Sequence, residues 1–168
     1  MFKDKPEIPI VNKNDKIIGY KKRDKIEKND IYRVAALWIT NSKNQILLAK
    51  RHRTKIHHPN KWGPAVAGTV EKGETYKTNI IKETFEELGL QNISFTPGPK
   101  TETNNGYHHF TQWYFLTIDK KAKDFIIQAD EVSRVKWFDI EELKNELKTH
   151  PENFLPNMKI YIKLFISL

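Results

Sequence analysis

Three glutamates near the middle of the chain, Glu83, Glu86 and Glu87, have the spacing of one acidic helix face. Successive helical residues turn by about 100°, so the second and third glutamates fall within about 60° of the first. Crowded carboxylates repel one another, and a hard divalent cation such as Mg²⁺ or Mn²⁺, which prefers carboxylate and water oxygens, would neutralise them. The alternative is a solvated helix face on which Lys82 pairs with Glu86.

The helix that carries these acids must also dock on a core. Ile81, Phe85 and Leu88 recur at helical spacing on the other side, and they predict the apolar stripe that packs inward. Gly89 follows directly, and glycine readily adopts the left-handed conformation that ends helices. The pattern therefore predicts one helix with an acidic face and a buried face.

A longer pattern surrounds the three acids and covers residues 68–90. Its fixed residues are, in order, Gly68, Glu74, Lys82, Glu83, Glu86, Glu87, Gly89 and Leu90. This spacing resembles the Nudix box, which runs glycine, five residues, glutamate, seven residues, Arg-Glu, an aliphatic residue, one residue, Glu-Glu, one residue, glycine and an aliphatic residue. The chain departs from it at Lys82, where the family has arginine, and at Thr84, where an aliphatic residue is usual. Lysine keeps the charge but loses the planar fork that holds a carboxylate with two hydrogen bonds.

The resemblance implies a role for each residue of the box. Nudix enzymes hydrolyse diphosphate linkages with divalent cations, so it implies that Glu83, Glu86 and Glu87 are catalytic and ligate Mg²⁺ or Mn²⁺ together with the carbonyl of Gly68. Glu74 and Lys82 would support that geometry. The general base would be Glu83 or an acid outside the box, for which Glu131 is a candidate.

Composition limits the classes of protein to which the chain can belong. Its 168 residues suit one domain, 1–168, and 38% hydrophobic with 30% charged residues is typical of a soluble globular protein. No apolar run reaches the ~18 residues of a membrane span, and the charged N-terminus does not resemble a secretory signal. We therefore expect a cytoplasmic protein with no membrane partner.

Charge and cysteine content narrow the chemistry further. The chain has no cysteine, which excludes disulfides, thiolate metal sites and a cysteine nucleophile. The net charge of +8 would attract polyanions such as diphosphates, nucleotides or RNA. The lysines are scattered, however, so a small diphosphate substrate is the expected partner and nucleic acid is the weaker candidate.

The first thirty residues predict a strand or hairpin that precedes the main domain. Asn-Asp turn residues lead into a short apolar run with Gly19, followed by Arg23 and Asp24. This layout resembles the Nudix subgroup that contains isopentenyl diphosphate isomerase. Those isomerases use a cysteine just before the box glycine and a histidine just after it, whereas this chain has Ala67 and Thr69. Isomerase activity is therefore disfavoured.

The remaining chain alternates strands with helices. The β-rich or apolar runs predict strands at 32–40, 45–51, 65–70, 92–96, 107–118 and 132–138, with 97–106 as a loop. Asp139 should cap a helix, and 153–168 should form a C-terminal helix docked through Ile160, Leu164 and Leu168. This order agrees with the α/β fold that the resemblance implies, a Nudix-type α/β/α sandwich around a mixed β-sheet.

Residues outside the box would choose the substrate. Arg51 and Arg53 open a basic loop and are candidates for phosphate contact, with solvated side chains as an equal alternative. His57 and His58 are interpreted as loop residues, with substrate contact as the lesser alternative. The substrate itself is not specified, and the aromatic-rich strands would allow a homodimer.

Three functions remain after these observations. The first is a metal-dependent Nudix pyrophosphohydrolase acting on a nucleoside diphosphate derivative or a related organic diphosphate. The second is the disfavoured isomerase. The third is a Nudix domain that binds nucleotide or RNA without turnover, and the retention of every box glutamate favours the hydrolase over it.

Overall fold

The computed structural model describes residues 5–166, so residues 1–4 of the predicted N-terminal segment and 167–168 of the predicted C-terminal helix lie outside the described range. Within that range the strands are β1 (Glu7–Val11), β2 (Ile17–Lys22), β3 (Ile31–Thr40), β4 (Ile46–Arg51), β5 (Trp62–Pro64), β6 (Val66–Thr69), β7 (Thr96–Asn104), β8 (His108–Thr117) and β9 (Val132–Phe138). The helices are α1 (Tyr76–Leu88), α2 (Ile140–Thr149) and α3 (Met158–Ile166).

Strand β3 organises one mixed sheet. It pairs in parallel with β8 along its whole length and antiparallel with β6, and it touches β1 and β4 at its two ends. Strand β4 adds β5 and β9, and β8 adds β7, all antiparallel. The parallel pair needs a long crossover, and the intervening chain supplies it with α1. The predicted mixed α/β sheet is confirmed.

The two faces of the sheet carry separate cores because side chains alternate along each strand. Ala35, Leu37 and Ile39 of β3 lie in one buried cluster, whereas Ala36 and Trp38 lie in the other. The helices contribute Ile80 and Leu88 to the first cluster, and Leu143, Leu147, Met158 and Ile162 to the second. Helix α1 thus covers one face and α2 and α3 cover the other, which confirms the predicted α/β/α sandwich.

The N-terminal hairpin of β1 and β2 is tied to the box region through Asp15. Its carboxylate accepts hydrogen bonds from Arg33 Nε at 2.7 Å and from the Tyr76 hydroxyl at 3.0 Å, and it pairs with Lys100. Burial opposes ionisation of Asp15, but these partners outweigh it and lower its pKa. Because Tyr76 is the first residue of α1, the hairpin fixes the start of the acidic helix.

The prediction for 92–106 was wrong. The structure has no strand at 92–95, and the predicted loop is instead most of β7, which pairs with β8. Pro97, Gly98 and Pro99 suggested a turn, but β7 pairs only with β8 and accommodates the prolines through a register shift between Pro97 and Lys100. Edge strands and bulges tolerate proline because its missing N–H is not needed there.

The helices near the C-terminus also differ in detail from the predictions. Asp139 stands at the N-cap of α2, yet its side chain accepts a hydrogen bond from Gln45 Nε2 at 3.1 Å and does not cap the helix. Ile160 of α3 is 62% exposed, so it does not dock, and Met158 and Ile162 are buried in its place. Leu168 lies outside the described residues.

The single-domain organisation stays a prediction, and the structure adds that β1 and β2 join the same sheet as the later strands. Between residues 5 and 166, no helix combines the length and apolar character that crossing a membrane requires.

Candidate active site

Helix α1 begins and ends at well-defined caps. The Thr75 hydroxyl accepts from the Thr78 N–H at 3.1 Å, and the Thr78 hydroxyl accepts from the Thr75 N–H at 2.8 Å. Gly89 adopts the left-handed conformation, with φ of 67°, and its N–H donates to Phe85. These caps satisfy backbone groups that a helix end leaves without partners. The predicted stop at Gly89 is confirmed.

The face on which α1 docks was predicted correctly at Leu88 but wrongly at Ile81 and Phe85. Ile81 is 47% exposed and Phe85 is 50% exposed, whereas Ile80, Thr84 and Leu88 are buried. The pattern is offset because Thr84, a polar residue in an aliphatic position, occupies the centre of the docking face. The acidic residues therefore lie beside the buried face of α1, and Glu83 and Glu87 are partly buried.

Gly68 allows the Glu83 side chain to lie directly against β6. A Cβ atom added at Gly68 would stand 2.4 Å from Glu83 Cγ, 2.5 Å from Cδ and 2.6 Å from Oε1. Real Cβ atoms do not approach other heavy atoms so closely, so any larger residue would displace the carboxylate. The structure thus brings together these two residues of the box.

Lys82 lies between two glutamates of the box. Its Nζ lies 2.6 Å from Glu74 Oε1 and 3.6 Å from Glu83 Oε1. Glu74 Oε2 accepts from the Glu71 N–H at 2.9 Å and from Asn79 Nδ2 at 2.8 Å. Burial acts against ionisation of Glu74, but these donors outweigh it and its pKa is lowered. Glu74 and Lys82 therefore contact each other in the supporting position that the resemblance implied.

Glu83 and Glu87 carry more negative charge than the structure neutralises. Burial raises the pKa of Glu83, and Glu86 adds to the rise while Lys82 opposes it. Burial raises the pKa of Glu87 well above its usual range, and the negative charges of Glu83 and Glu131 raise it further. A bound cation would relieve this repulsion.

The donor set fits a hard divalent ion. Carboxylate oxygens are the ligands that Mg²⁺ and Mn²⁺ prefer, and the glycine cradle brings the Glu83 carboxylate against the backbone of β6. Glu86 is solvent-exposed and lies at the outer side of this group. Across the described range, no three carboxylate or imidazole groups already converge as a ready-made metal cluster.

Thr84 leaves a buried polar atom without a partner, and this predicts a stabilising substitution. The side chain is fully buried and its hydroxyl has no hydrogen bond. Thr84→Val keeps the shape and removes the desolvated hydroxyl, so we expect the free energy of unfolding to rise by about 1 kcal/mol. Urea denaturation measures the change.

Thr111→Val is the matched control for that substitution. Thr111 is equally buried, but its hydroxyl lies 3.1 Å from His109 Nδ1 and is hydrogen-bonded. The same change there should lower the free energy of unfolding by about 1 kcal/mol. A loss of stability at both positions would mean that the Thr84 hydroxyl is bonded after all.

The three candidates outside the box have different surroundings. Arg51 donates through Nε to the His57 carbonyl at 3.0 Å and lines a cavity beside Glu87. Glu131 lines the same cavity and forms an ion pair with Lys55. Arg53 is exposed and lines neither this cavity nor its larger neighbour. The structure therefore brings Arg51 and Glu131 to the acidic helix but not Arg53.

A larger cavity of about 250 Å³ adjoins the acidic one. The two share Arg51, Pro64, Ala67 and Leu155, and the Ala67 backbone N–H also bonds the Glu87 carboxylate. The residues of the larger cavity that sequence reasoning left unassigned include Tyr32, Val34, Tyr107, His109, Asn157 and Tyr161. They come from distant parts of the chain, and no local motif connects them. His57 and His58, interpreted mainly as loop residues, line it too.

His109 stays neutral within this cavity. Its burial lowers its pKa to about 4, with a smaller contribution from His108. The ring lies 5.3 Å from the Tyr32 ring, centroid to centroid, and its Nδ1 bonds Thr111. A neutral imidazole contributes no charge to the cavity wall at physiological pH.

The neutral state of His109 predicts a dependence of stability on pH. An unfolded histidine binds a proton near pH 6.5, whereas folded His109 does so near pH 4, so stability falls as pH drops between these values. We expect His109 to account for about 3 kcal/mol of that fall. Urea unfolding of His109→Phe from pH 7 to 4 should show a shallower loss than the original protein. Parallel pH curves would contradict the assignment.

The position of the isomerases' cysteine holds a residue without proton-transfer chemistry. Ala67 lines both cavities, so the place where the isomerases have their cysteine does face the site, but with a methyl group. On β8, Gln112 donates to the Gly98 and Trp113 carbonyls, and His108 lies 2.7 Å from Glu102. None of these replaces the missing thiol.

Comparisons with known proteins identify similar sequences and a similar fold. A prenyl-diphosphate phosphatase of Methanosarcina mazei is 29% identical over 163 residues, covering 94% of each protein. An isopentenyl-diphosphate Delta-isomerase of Pectobacterium atrosepticum is 28% identical over 88% of this chain and 84% of its own. A crystal structure from Deinococcus radiodurans superposes with a TM-score of 0.82 at 23% identity, covering 94% of this chain and 98% of that one.

The family assignment rests on a match to a family model. The model of the NUDIX domain matches residues 31–158. This range includes β6, which lines both cavities through Ala67, and the whole of α1. This match extends over more than half of the chain, and the chain therefore belongs to the Nudix domain family.

Proposed function

We propose that the protein is a divalent-metal-dependent hydrolase that cleaves the diphosphate linkage of an organic diphosphate. The observation that carries the proposal is the half-buried pair Glu83 and Glu87, whose repulsion and raised pKa values call for a cation beside a cavity. Glu83, Glu86 and Glu87, with the Gly68 carbonyl, would hold Mg²⁺ or Mn²⁺. When bound, such an ion neutralises phosphate charge and lowers the pKa of attacking water.

The chain's own residues would carry the remaining steps. Glu83 accepts a proton from the attacking water, which is the general-base role that the resemblance implies for it. A bond forms between the water oxygen and phosphorus, the bridging P–O bond breaks, and the departing phosphate keeps the bond's electron pair. Arg51, at the junction of the two cavities, contacts the phosphate oxygens.

Glu74 and Lys82 position Glu83 in this scheme. The Lys82 ammonium links the Glu74 and Glu83 carboxylates, so it keeps the Glu83 carboxylate turned toward Gly68. Glu131 supplies a further carboxylate beside Glu87 and is held by Lys55. Arg53 was a candidate for phosphate contact, but nothing in its surroundings supports that role.

The relatives, taken together with the residues of this chain, support a hydrolase over the alternatives. One relative is named a prenyl-diphosphate phosphatase, and it matches nearly the whole chain. The relatives named isomerases are also similar, but Ala67 in place of a cysteine argues against that reaction here. The retained box glutamates argue against a binding-only domain. A cytoplasmic location and a homodimer stay predictions.

A panel assay tests the proposal. Phosphate and nucleotide release is measured from nucleoside triphosphates, ADP-ribose, dinucleotides and isopentenyl diphosphate with Mg²⁺, with Mn²⁺ and with chelator. We expect cleavage of at least one class with metal and none with chelator. Conversion of isopentenyl diphosphate to its isomer without phosphate release would instead identify an isomerase, and salt-sensitive RNA binding without hydrolysis would favour the binding domain.

A further inference from the structure

The larger cavity presents an almost uncharged wall. Among residues 5–166, Arg51 is the only permanently charged side chain that lines it, and it stands at the junction with the acidic cavity. His109 is neutral because of its low pKa, and burial also lowers the pKa of His58. A group bound beyond Arg51 therefore meets no Asp, Glu, Lys or Arg side chain among the described residues that line the cavity.

The polar side chains around the cavity are largely paired with one another. Asn105 donates to Asn157 at 2.9 Å, and Asn157 donates to the Tyr161 hydroxyl at 3.4 Å. The Tyr107 hydroxyl lies 2.8 Å from His57 Nδ1. With these donors and acceptors engaged, the wall offers little to the polar edges of a base or sugar, which would lose hydrogen bonds to water on entering.

The aromatic rings around the cavity also pack against one another. Tyr32 packs against His109, Tyr107 packs edge-to-face against His57, and Trp113 packs edge-to-face against Tyr161, with centroid distances between 4.6 and 5.3 Å. The apolar side chains of Val34, Ala36, Pro64 and Leu155 also line the cavity. The cavity therefore suits a hydrocarbon better than a stacked base.

The volume limits the size of the bound group. At about 250 Å³ the cavity is smaller than the ~300–1,000 Å³ of pockets that enclose drug-sized ligands. A dinucleotide or a nucleotide sugar would extend outside this partly open cavity, whereas a short hydrocarbon chain would fit inside it. Tyr107 and His57, which contact each other, both line this space.

From these observations we propose that the larger cavity is the specificity pocket and that it takes the hydrocarbon part of a short-chain hydrocarbon diphosphate. The diphosphate lies between Arg51 and the acidic face of α1, and the uncharged chain extends past Ala67 toward Val34 and His109. This inference rests on the proposed function, since it assigns the substrate class of the same site.

Relative turnover tests the assignment directly. The kcat/KM values for isopentenyl diphosphate and geranyl diphosphate are compared with those for CDP and ADP-ribose, all with Mg²⁺. We expect at least one hydrocarbon diphosphate to exceed both nucleotides by about 10-fold or more, the scale on which apolar pockets discriminate. Hydrolysis with equal or greater kcat/KM for the nucleotides would overturn the pocket assignment and leave the hydrolase intact.

A substitution inside the pocket gives a second test. Val34→Thr places a hydroxyl in the wall with little change of shape, and it should lower kcat/KM for the preferred hydrocarbon diphosphate about 10-fold through KM. Val135→Thr is the matched control, because Val135 is a partly buried strand valine that lies outside the cavity. Equal effects of the two substitutions would overturn the assignment.

Binding separates failure of this inference from failure of the proposed function. If no diphosphate is hydrolysed, the proposed function is wrong, and calorimetry with geranyl diphosphate and ADP still tests the pocket. Tighter binding of geranyl diphosphate, reduced by Val34→Thr but not by Val135→Thr, would support a hydrocarbon pocket. Tighter binding of ADP would overturn it.

Discussion

Glu87→Gln is expected to remove hydrolysis without weakening the fold. The side chain keeps its shape and its hydrogen bond from the Ala67 N–H, but it loses the charge that would hold a cation. Loss of a residue that merely orients a metal ligand costs 10–100-fold, so loss of a ligand should lower kcat/KM by at least about 100-fold.

The free energy of unfolding of this variant should not fall, although its activity does. The Glu87 carboxylate is desolvated and faces the charges of Glu83 and Glu131, and this raises its pKa strongly. A neutral amide avoids that cost, so urea denaturation in chelator should give an equal or higher free energy of unfolding. Activity and stability are thus expected to separate.

Glu141→Gln is the control for the general effect of removing one glutamate charge from a helix. Glu141 is an exposed glutamate on α2, on the opposite side of the sheet from α1. Its substitution should change neither kcat/KM nor stability by more than a small amount. If Glu87→Gln retained most of its turnover, the assignment of the acidic face as the catalytic centre would be wrong.

Gly68→Ala should have the second-largest effect. The new Cβ would stand within 2.6 Å of Glu83 Cγ, Cδ and Oε1, so the carboxylate must move. Displacement of a catalytic group by about 1 Å can cost about 100-fold in rate. We expect kcat/KM to fall by about that factor, with the far-UV circular dichroism spectrum unchanged.

Gly19→Ala separates the effect of this close contact from that of losing a glycine. Gly19 also lies in a strand, but a Cβ added there meets no atom within 4 Å. The variant should keep nearly full activity. Comparable losses in both variants, or full activity in Gly68→Ala, would show that Glu83 does not depend on its contact with β6.

Much of the fold could be predicted because its signals are local. The alternation of β3 and β8, the cap at Gly89 and the spacing of the box are each written in a short stretch of chain. Residues that contact Glu83, namely Gly68 and Lys82, belong to that same stretch. The acidic part of the candidate site was therefore accessible from the sequence.

The errors arose where tertiary context overrides a local preference. Thr84 is polar yet fully buried, so the apolar pattern of α1 pointed to Ile81 and Phe85, which are exposed. The prolines of β7 suggested a loop, but an edge strand with a register shift accommodates them. In each case packing or pairing with the sheet determined which residues are buried or form a strand, and the sequence of a single segment does not contain that information.

The larger cavity could not be predicted for a different reason. Its wall joins β3, the loop after β4, β8 and the segment before α3, which are far apart in sequence. The properties that matter, such as the neutrality of His109 and the pairing of Asn105 with Asn157, exist only when those segments meet.

Bound Mn²⁺ measured together with hydrolysis tests the central claim most directly. Electron paramagnetic resonance would follow Mn²⁺ binding while phosphate release is recorded from the same samples, for the original protein and for the double substitution Glu83→Gln, Glu87→Gln. We expect binding and hydrolysis to rise together in the original protein and both to be lost in the double variant. Hydrolysis that persists in chelator, or Mn²⁺ binding that is unchanged by the double substitution, would contradict a metal-dependent site on the acidic face of α1.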